Sequence, residues 1–157
     1  MNSILSYTSL KTPLGLIFIS SNDKGLSSLS WERPKNLPKD DSHEHLSLAK
    51  VELEEYFNGL RSDFSVALSP HGTDFQIKVW EELRRIPFGT TVSYKELAEG
   101  IERPKAHRAV GSANGKNPLP IIVPCHRVIA SSGGLGGYSA GLEVKRKLLA
   151  LEGLFVS

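Results

Sequence analysis

Apolar positions along the chain change their period about halfway. Leu14 to Ile19 form a compact apolar run, Asn22-Asp-Lys-Gly25 reads as a turn, and Leu26 to Trp31 resume a strand-like stretch. Arg33 to Asp41, interrupted by Pro34 and Pro38, reads as a loop. Leu46, Ala49, Leu53, Tyr56 and Phe57 then recur at helical spacing. Phe64, Val66 and Leu68 alternate with the smaller Ser65 and Ala67, which predicts a half-buried strand. Residues 1–70 therefore read as a small α/β unit, and Ser69-Pro70-His71-Gly72 as a linker.

The second half, 71–157, reads as mostly helical. Thr73 with Gln76 forms a capping box, in which each residue's side chain satisfies the other's backbone N–H. Phe75, Val79, Trp80, Leu83 and Ile86 give that helix an apolar face, and Pro87 ends it. A second capping box, Ser93 with Glu96, starts a short helix to about Gly100. Pro104, favoured at a first helical position, predicts another helix to about Asn114. Two short helices joined by a tight turn predict a helix-turn-helix. In the second of them, Ala106, Ala109, Val110 and Ala113 share one face, and Lys105, Arg108 and Ser112 the other. A cationic face of small residues suits approach to a nucleic-acid backbone or groove. A final basic helix runs from Leu142 to about Leu151, followed by Gly153.

Charge sharpens this division. Residues 1–70 carry 7 Lys/Arg against 9 Asp/Glu, and residues 71–157 carry 12 against 8. No acidic residue lies between Glu102 and Glu143, a window that holds Arg103, Lys105, Arg108, Lys116 and Arg127. Such a stretch could face an anionic polymer. No run approaches the roughly 20 apolar residues of a membrane helix, and Met1-Asn2-Ser3-Ile4 lacks the character of a signal peptide. The expectation is a soluble protein of the cytoplasm, or of the nucleus in a eukaryotic host. One cysteine excludes an internal disulfide and a multi-thiolate zinc site. His43 and His45 in a polar loop carry no further metal signal.

That cysteine sits in an unusual context, Asn117-Pro-Leu-Pro-Ile-Ile-Val-Pro-Cys-His-Arg-Val128. Ile121-Ile-Val123 demands burial, while Pro118, Pro120 and Pro124 stiffen the approach to Cys125. A thiol with a pKa of about 8.5 is mostly neutral at pH 7 and needs help to ionise. His126 could take its proton, directly or through one water, and Glu152 is the candidate carboxylate to hold the imidazole. The bland alternative is a packed core with one satisfied histidine. The three prolines and Arg127, a residue type usually exposed, argue against it. The segment 131–141, Ser-Ser-Gly-Gly-Leu-Gly-Gly-Tyr-Ser-Ala-Gly, is too irregular for a phosphate-binding loop. Its glycines suit close approach to a flat ligand, with Tyr138 as a wall or hydrogen-bond partner.

Pro124-Cys-His-Arg-Val128, preceded by Asn117-Pro118 and followed by the glycine-rich loop with Tyr138-Ser139, resembles the active-site motif of the O6-alkylguanine-DNA alkyltransferases, the methylated-DNA–protein-cysteine methyltransferases. The resemblance extends through Arg108, Ala109-Val-Gly111 and Val92-Ser-Tyr94 to the Phe75…Trp80 helix, and forward to Glu152-Gly153, covering 73–154. It implies an α+β fold: a ribonuclease-H-like N-terminal domain, then a mostly helical domain with a helix-turn-helix docking in the DNA minor groove. It implies that Cys125 accepts the alkyl group irreversibly from O6-alkylguanine or O4-alkylthymine in double-stranded DNA, with His126 as base through a water, Glu152 orienting it and Asn117 bracing the turn. Tyr94 would rotate a phosphate and donate to the base, and Arg108 would fill the space of the flipped nucleotide. Ser93, Lys105, Ser112 and Arg127 would contact DNA. Pro120, Cys125, Val128, Tyr138 and Ser139 would line the base pocket, with the Cys125 and Val128 carbonyls reading the guanine amino group. No cofactor or metal is implied, since zinc-bearing members use N-terminal cysteines that this chain lacks, and the protein would act as a monomer. Asn114 stands where some relatives carry methionine, leaving the tolerated alkyl size open. Two other classes compete: a lesion-sensing DNA-binding module without chemistry, against which Cys125 argues, and a multiple-turnover cysteine hydrolase using Cys125, His126 and Glu152.

Overall fold

The computed structural model describes residues 4–156; Met1 to Ser3, weighed above as the start of a leader, lie outside them. The chain divides into two compact units at His71/Gly72.

The first unit is built on an antiparallel sheet of β1 (Ser6–Thr12), β2 (Gly15–Ser21) and β3 (Leu26–Ser30), in that order. β2 is central, so Ile17, Phe18, Ile19 and Ser20 are all buried, which explains its unbroken apolar run. The polar strand β1 is one the hydrophobic pattern did not reveal. It is recruited as the partner of β2, with Leu10 opposite Ile17 and Thr8 opposite Ile19. Helix α1 (Glu44–Phe57) lays Leu46, Ala49, Leu53 and Tyr56 into the core. The strand expected at Phe64–Leu68 is absent; a single bridge joins Leu68 to Leu26. The backbone N–H groups of Ser65 and Val66 turn instead to the buried Glu52 carboxylate, which also pairs with Arg61 at 3.3 Å.

The second unit carries α2 (Asp74–Leu83), β4 (Val92–Ser93), α3 (Tyr94–Gly100), α4 (His107–Gly115), β5 (Val128–Ile129) and α5 (Leu142–Leu151). Both capping boxes form as expected. α2 lies against α4, where the Trp80 indole donates to the Ala113 carbonyl at 2.9 Å. β4 and β5 pair in parallel, Val92 with Val128 and Ser93 with Ile129, which sets the start of α3 beside the reactive segment.

α4 begins three residues later than expected. Arg103-Pro-Lys-Ala106 closes a turn through an Ala106 N–H to Arg103 carbonyl bond of 2.9 Å, with Pro104 at the position its fixed φ favours. Ala109, expected on the inner face, is exposed. Val110, Ala113 and Asn114 are buried, whereas His107, Arg108, Ala109, Ser112 and Lys116 face out.

Thr73 joins the cap and the helix start in one side chain. Thr73→Ala is expected to lower stability by about 1 kcal/mol, read as a shift in urea midpoint with unchanged slope.

Candidate active site

The reactive segment is a rigid turn before it is anything else. The Asn117 amide donates to the Val123 carbonyl at 2.8 Å, and its oxygen accepts from the Leu119 N–H at 2.9 Å, pinning both limbs. Inside the loop Ile121 is held at φ 76°, a conformation costly for a β-branched residue. Pro124, at φ −79° and ψ 64°, is the centre of an inverse γ-turn closed by the Cys125 N–H on the Val123 carbonyl at 2.7 Å. A single 3-10 turn, Cys125–Arg127, follows and runs into β5.

Cys125 is 3% exposed. Burial pushes its thiol pKa up, opposed by the polar side chains of Asn117 and Tyr138 and by the charge of Lys145. His126 is fully buried, and its Nε2 lies 2.7 Å from Glu152 Oε2. Burial lowers the imidazole pKa despite that carboxylate, so the ring is neutral near pH 7. A neutral ring facing a carboxylate carries its proton on Nε2, which leaves Nδ1 as the basic nitrogen. Nδ1 has no hydrogen-bond partner among the described residues. His126 is not among the groups that hydrogen-bond the thiol.

Glu152, the C-cap of α5, is the hub. It also accepts from Arg127 Nε at 2.8 Å, Arg127 Nη2 at 3.1 Å and the Gly89 N–H at 3.0 Å. Arg127 gives a third bond to the Ile86 carbonyl at 2.7 Å. The expectation that Arg127 reaches DNA is therefore corrected: its guanidinium is buried, and it is consumed in charge-assisted bonds to both oxygens of the Glu152 carboxylate.

Tyr94 opens α3, half-buried, and burial raises its phenol pKa while a bond with the Gly137 backbone opposes the rise. An open depression of about 380 Å³ is lined by Tyr94, Lys95, His107, Arg108, Gly111 and Ser131. It has cations on its rim and an aromatic ring in its wall. No three His, Cys, Asp or Glu side chains gather to hold a metal among the described residues, and none of their helices is long and apolar enough to cross a membrane.

Residues 74–154 match the model of the 6-O-methylguanine DNA methyltransferase DNA binding domain, and residues 5–70 match the ribonuclease-like domain of the same proteins. The chain belongs to the 6-O-methylguanine DNA methyltransferase family. Among the family's named members, a methylated-DNA–protein-cysteine methyltransferase of Methanosarcina barkeri is 45% identical, over 93% of this chain and 96% of that protein. The constitutive one of Bacillus subtilis is 43% identical, over 93% and 94%. The crystal structure of Mycobacterium tuberculosis OGT in complex with DNA superposes with a TM-score of 0.86 at 42% identity, over 94% of this chain and 92% of that one. The α+β architecture is thus that of the 6-O-methylguanine DNA methyltransferase family, whose named reaction requires a protein cysteine.

Of the residues singled out in the sequence, His126 and Glu152 are bonded to each other, while Asn117 and Tyr138 are the ones whose side chains bear on Cys125. Val128 is buried in β5, Pro120 is buried within the turn, and Ser139 is exposed on the loop. Ser93 spends its hydroxyl on the α3 cap, bonding the Glu96 N–H. Lys105, Arg108 and Ser112 are exposed. Sequence reasoning missed Lys145. It is fully buried, with Nζ bonded to the carbonyls of Val128 at 2.6 Å and Gly137 at 3.0 Å. Its signal was present: Lys145, Leu148, Leu149 and Glu152 follow helical spacing along one face, all buried.

Removing the charge of the hub leaves Arg127 buried and unpaired, so Glu152→Gln should destabilise the second unit by about 3 kcal/mol, measured by chemical denaturation. Because His126 is held neutral in the fold, the unfolded chain binds the extra proton as pH falls below the ordinary imidazole value of about 6.5. Stability should drop with pH through that range and level off below the depressed folded value; His126→Gln should flatten this dependence.

Proposed function

We propose that Cys125 accepts an alkyl group, methyl above all, from O6-alkylguanine or O4-alkylthymine in duplex DNA, and that each chain reacts once. The observation that carries this reading is the wiring of the imidazole: Nε2 is committed to Glu152 while Nδ1, the basic nitrogen, is left open one residue from a buried thiol. A water between Nδ1 and the sulfur would carry the thiol proton to the ring, and Glu152 would stabilise the imidazolium that results. The thiolate then attacks the alkyl carbon in line. A C–S bond forms, the C–O bond breaks, and the electron pair leaves on the base. Tyr94, kept protonated by its burial, supplies the proton that neutralises the departing base. The product is a thioether, and none of the groups around it can return the sulfur to a thiol.

The target base is stacked inside the duplex and must be extruded, at a cost of a few kcal/mol. Arg108, exposed at the lip of the depression, is suited to fill the vacated space. The exposed face of α4, with Ala109, Ser112 and Gly115 among cations, presents little bulk. That supports docking in the minor groove, with Lys105, Ser112 and Ser93 near phosphates. The extruded base would sit between Tyr138, the Ser139 amide and the turn around Pro120, with the Cys125 and Val128 carbonyls toward its amino group. The protein works as a monomer in the compartment that holds the DNA, the cytoplasm or a nucleus, and needs no cofactor.

Incubation with duplex DNA carrying O6-methylguanine, followed by peptide mass spectrometry, should find one methyl per chain on Cys125. Cys125→Ala should abolish transfer and retain DNA binding. Unmodified Cys125 after binding, or repeated turnover on an ester, would remove the reading in favour of a sensor or a hydrolase. Arg108→Ala should slow repair of duplex DNA by on the order of tenfold, about 1.4 kcal/mol, with little effect on reaction with the free modified base. Equal losses on both substrates would take Arg108 out of this role.

A further inference from the structure

We propose that His107 is a phosphate contact that works as an imidazolium: it takes up a proton as duplex DNA is engaged, so that binding tightens as pH falls. The contact rests on the reading that DNA lies against α4. His107 is the first residue of α4, immediately before Arg108, and its side chain is exposed. It lines the same open depression of about 380 Å³ as Tyr94, Lys95, Arg108, Gly111 and Ser131. The fold makes no use of the ring. It does not cap α4, whose N-cap Ala106 has no side-chain bond, and it forms no hydrogen bond or ion pair among the described residues. Gly111 lies one turn further along the same face. A Cβ there would already touch the Tyr94 ring at 3.7 Å, so the missing side chain keeps the space in front of His107 open.

The charge around this depression has one sign. Lys95 enters it from α3 and Arg108 from α4, while Arg103 and Lys105 stand exposed in the turn that precedes His107. Tyr94, its phenol pKa raised by burial, is the other titratable group of the wall, and the loop contributes the neutral Ser131. Of the nearby acids, Glu96 is turned to the Ser93 N–H, and neither Glu99 nor Glu102 lines the depression. An imidazolium at position 107 therefore finds no carboxylate to pair with, and a phosphodiester supplies the missing counter-charge. A phosphate oxygen accepts bonds from an imidazolium, an ammonium and a hydroxyl alike. His107, Lys95 and Ser131 present those three donors around one hollow.

Among these donors the imidazole is the one whose charge changes between pH 5 and 8. Linkage sets the sign. DNA binds the protonated form more tightly, so forming the complex takes up a proton. Affinity is greatest at low pH, declines as pH rises through the imidazole range and levels off above it, where Lys95, Lys105 and Arg108 still carry their charge. Ionisation of the Cys125 thiol runs the opposite way, gaining as pH rises. Undamaged DNA separates the two, because it is bound and offers no alkyl group.

The test is fluorescence anisotropy on an undamaged duplex from pH 5.5 to 8.5 at fixed ionic strength. His107→Gln keeps a donor without the charge, and His107→Lys keeps a charge at every pH. Wild-type affinity should fall about tenfold across the range, the equivalent of one pKa unit. The Gln variant should bind throughout as the wild type does at pH 8.5, and the Lys variant as it does at pH 5.5. Salt dependence gives a readout that a change of shape would not move. The slope of log affinity against log salt should be steeper by about 0.9 for the wild type at pH 5.5 than at pH 8.5, and equal at both for the Gln variant. NMR of the wild type alone should show the His107 ring titrating at higher pH once DNA is bound. An unmoved ring, or a Gln variant with the wild-type pH dependence, would overturn the proposal. Duplex binding by the wild type that ignores pH removes this contact and leaves the proposed function standing, whereas no duplex binding at any pH removes both.

Discussion

A single buried carboxylate organises the second half of this protein. Glu152 ends α5 and receives bonds from His126 and Arg127 of one turn and from the Gly89 backbone, two segments far from it and from each other in sequence. Burying that charge is tolerable because a guanidinium meets it at two atoms and the remaining acceptor sites are filled. The arrangement determines more than stability. With Glu152 on Nε2, the imidazole can present only Nδ1 to whatever lies on its other side, so the tautomer follows from the ion pair.

The turn before Cys125 supplies the complementary constraint. Two bonds from one asparagine, three prolines and a β-branched residue at positive φ hold a stretch that must approach the reacting sulfur without yielding. Strain of this kind persists only where surroundings over-determine the chain. Here they do: Leu119, Ile121, Ile122 and Val123 are all buried. The 6-O-methylguanine DNA methyltransferase site is therefore a stiff nucleophile turn faced by a glycine-rich loop, with α3 and α4 presenting a cationic, small-residue surface beside it. Rigidity sits where the sulfur must be aimed, and the flatter, less encumbered backbone sits where a planar base would have to enter.

Much of this was legible in the residues. Helices α1, α2, α3 and α5 were visible because their apolar spacing and capping boxes are local properties, and local chemistry is written in adjacent letters. The Asn-Pro…Pro-Cys-His-Arg context marked the site for the same reason: prolines restrict their own backbone wherever they occur. Glu152 was within reach as a carboxylate near the chain end and Tyr138 as the aromatic of the glycine-rich loop, while Asn117 and Tyr94 entered through resemblance to the family.

What the residues alone did not disclose depended on partners distant in sequence. Strand β1 is polar and becomes a strand only because β2 needs a neighbour, while Phe64–Leu68 alternates properly yet loses its N–H groups to Glu52. Arg127 looks like a surface cation by residue type, and only the tertiary fold turns it onto Glu152; the helical spacing of Lys145 marks its face, but not the two carbonyls that receive it. The physical reason is the same in each case. Periodicity and capping are settled by the chain within a few residues, whereas the cost of burying a charge or an unpaired backbone group is offset by whichever group the fold brings to it. Sequence determined where the capped helices begin and which stiff turn carries the lone sulfur; tertiary structure decided which polar segments become strands and which charges are hidden.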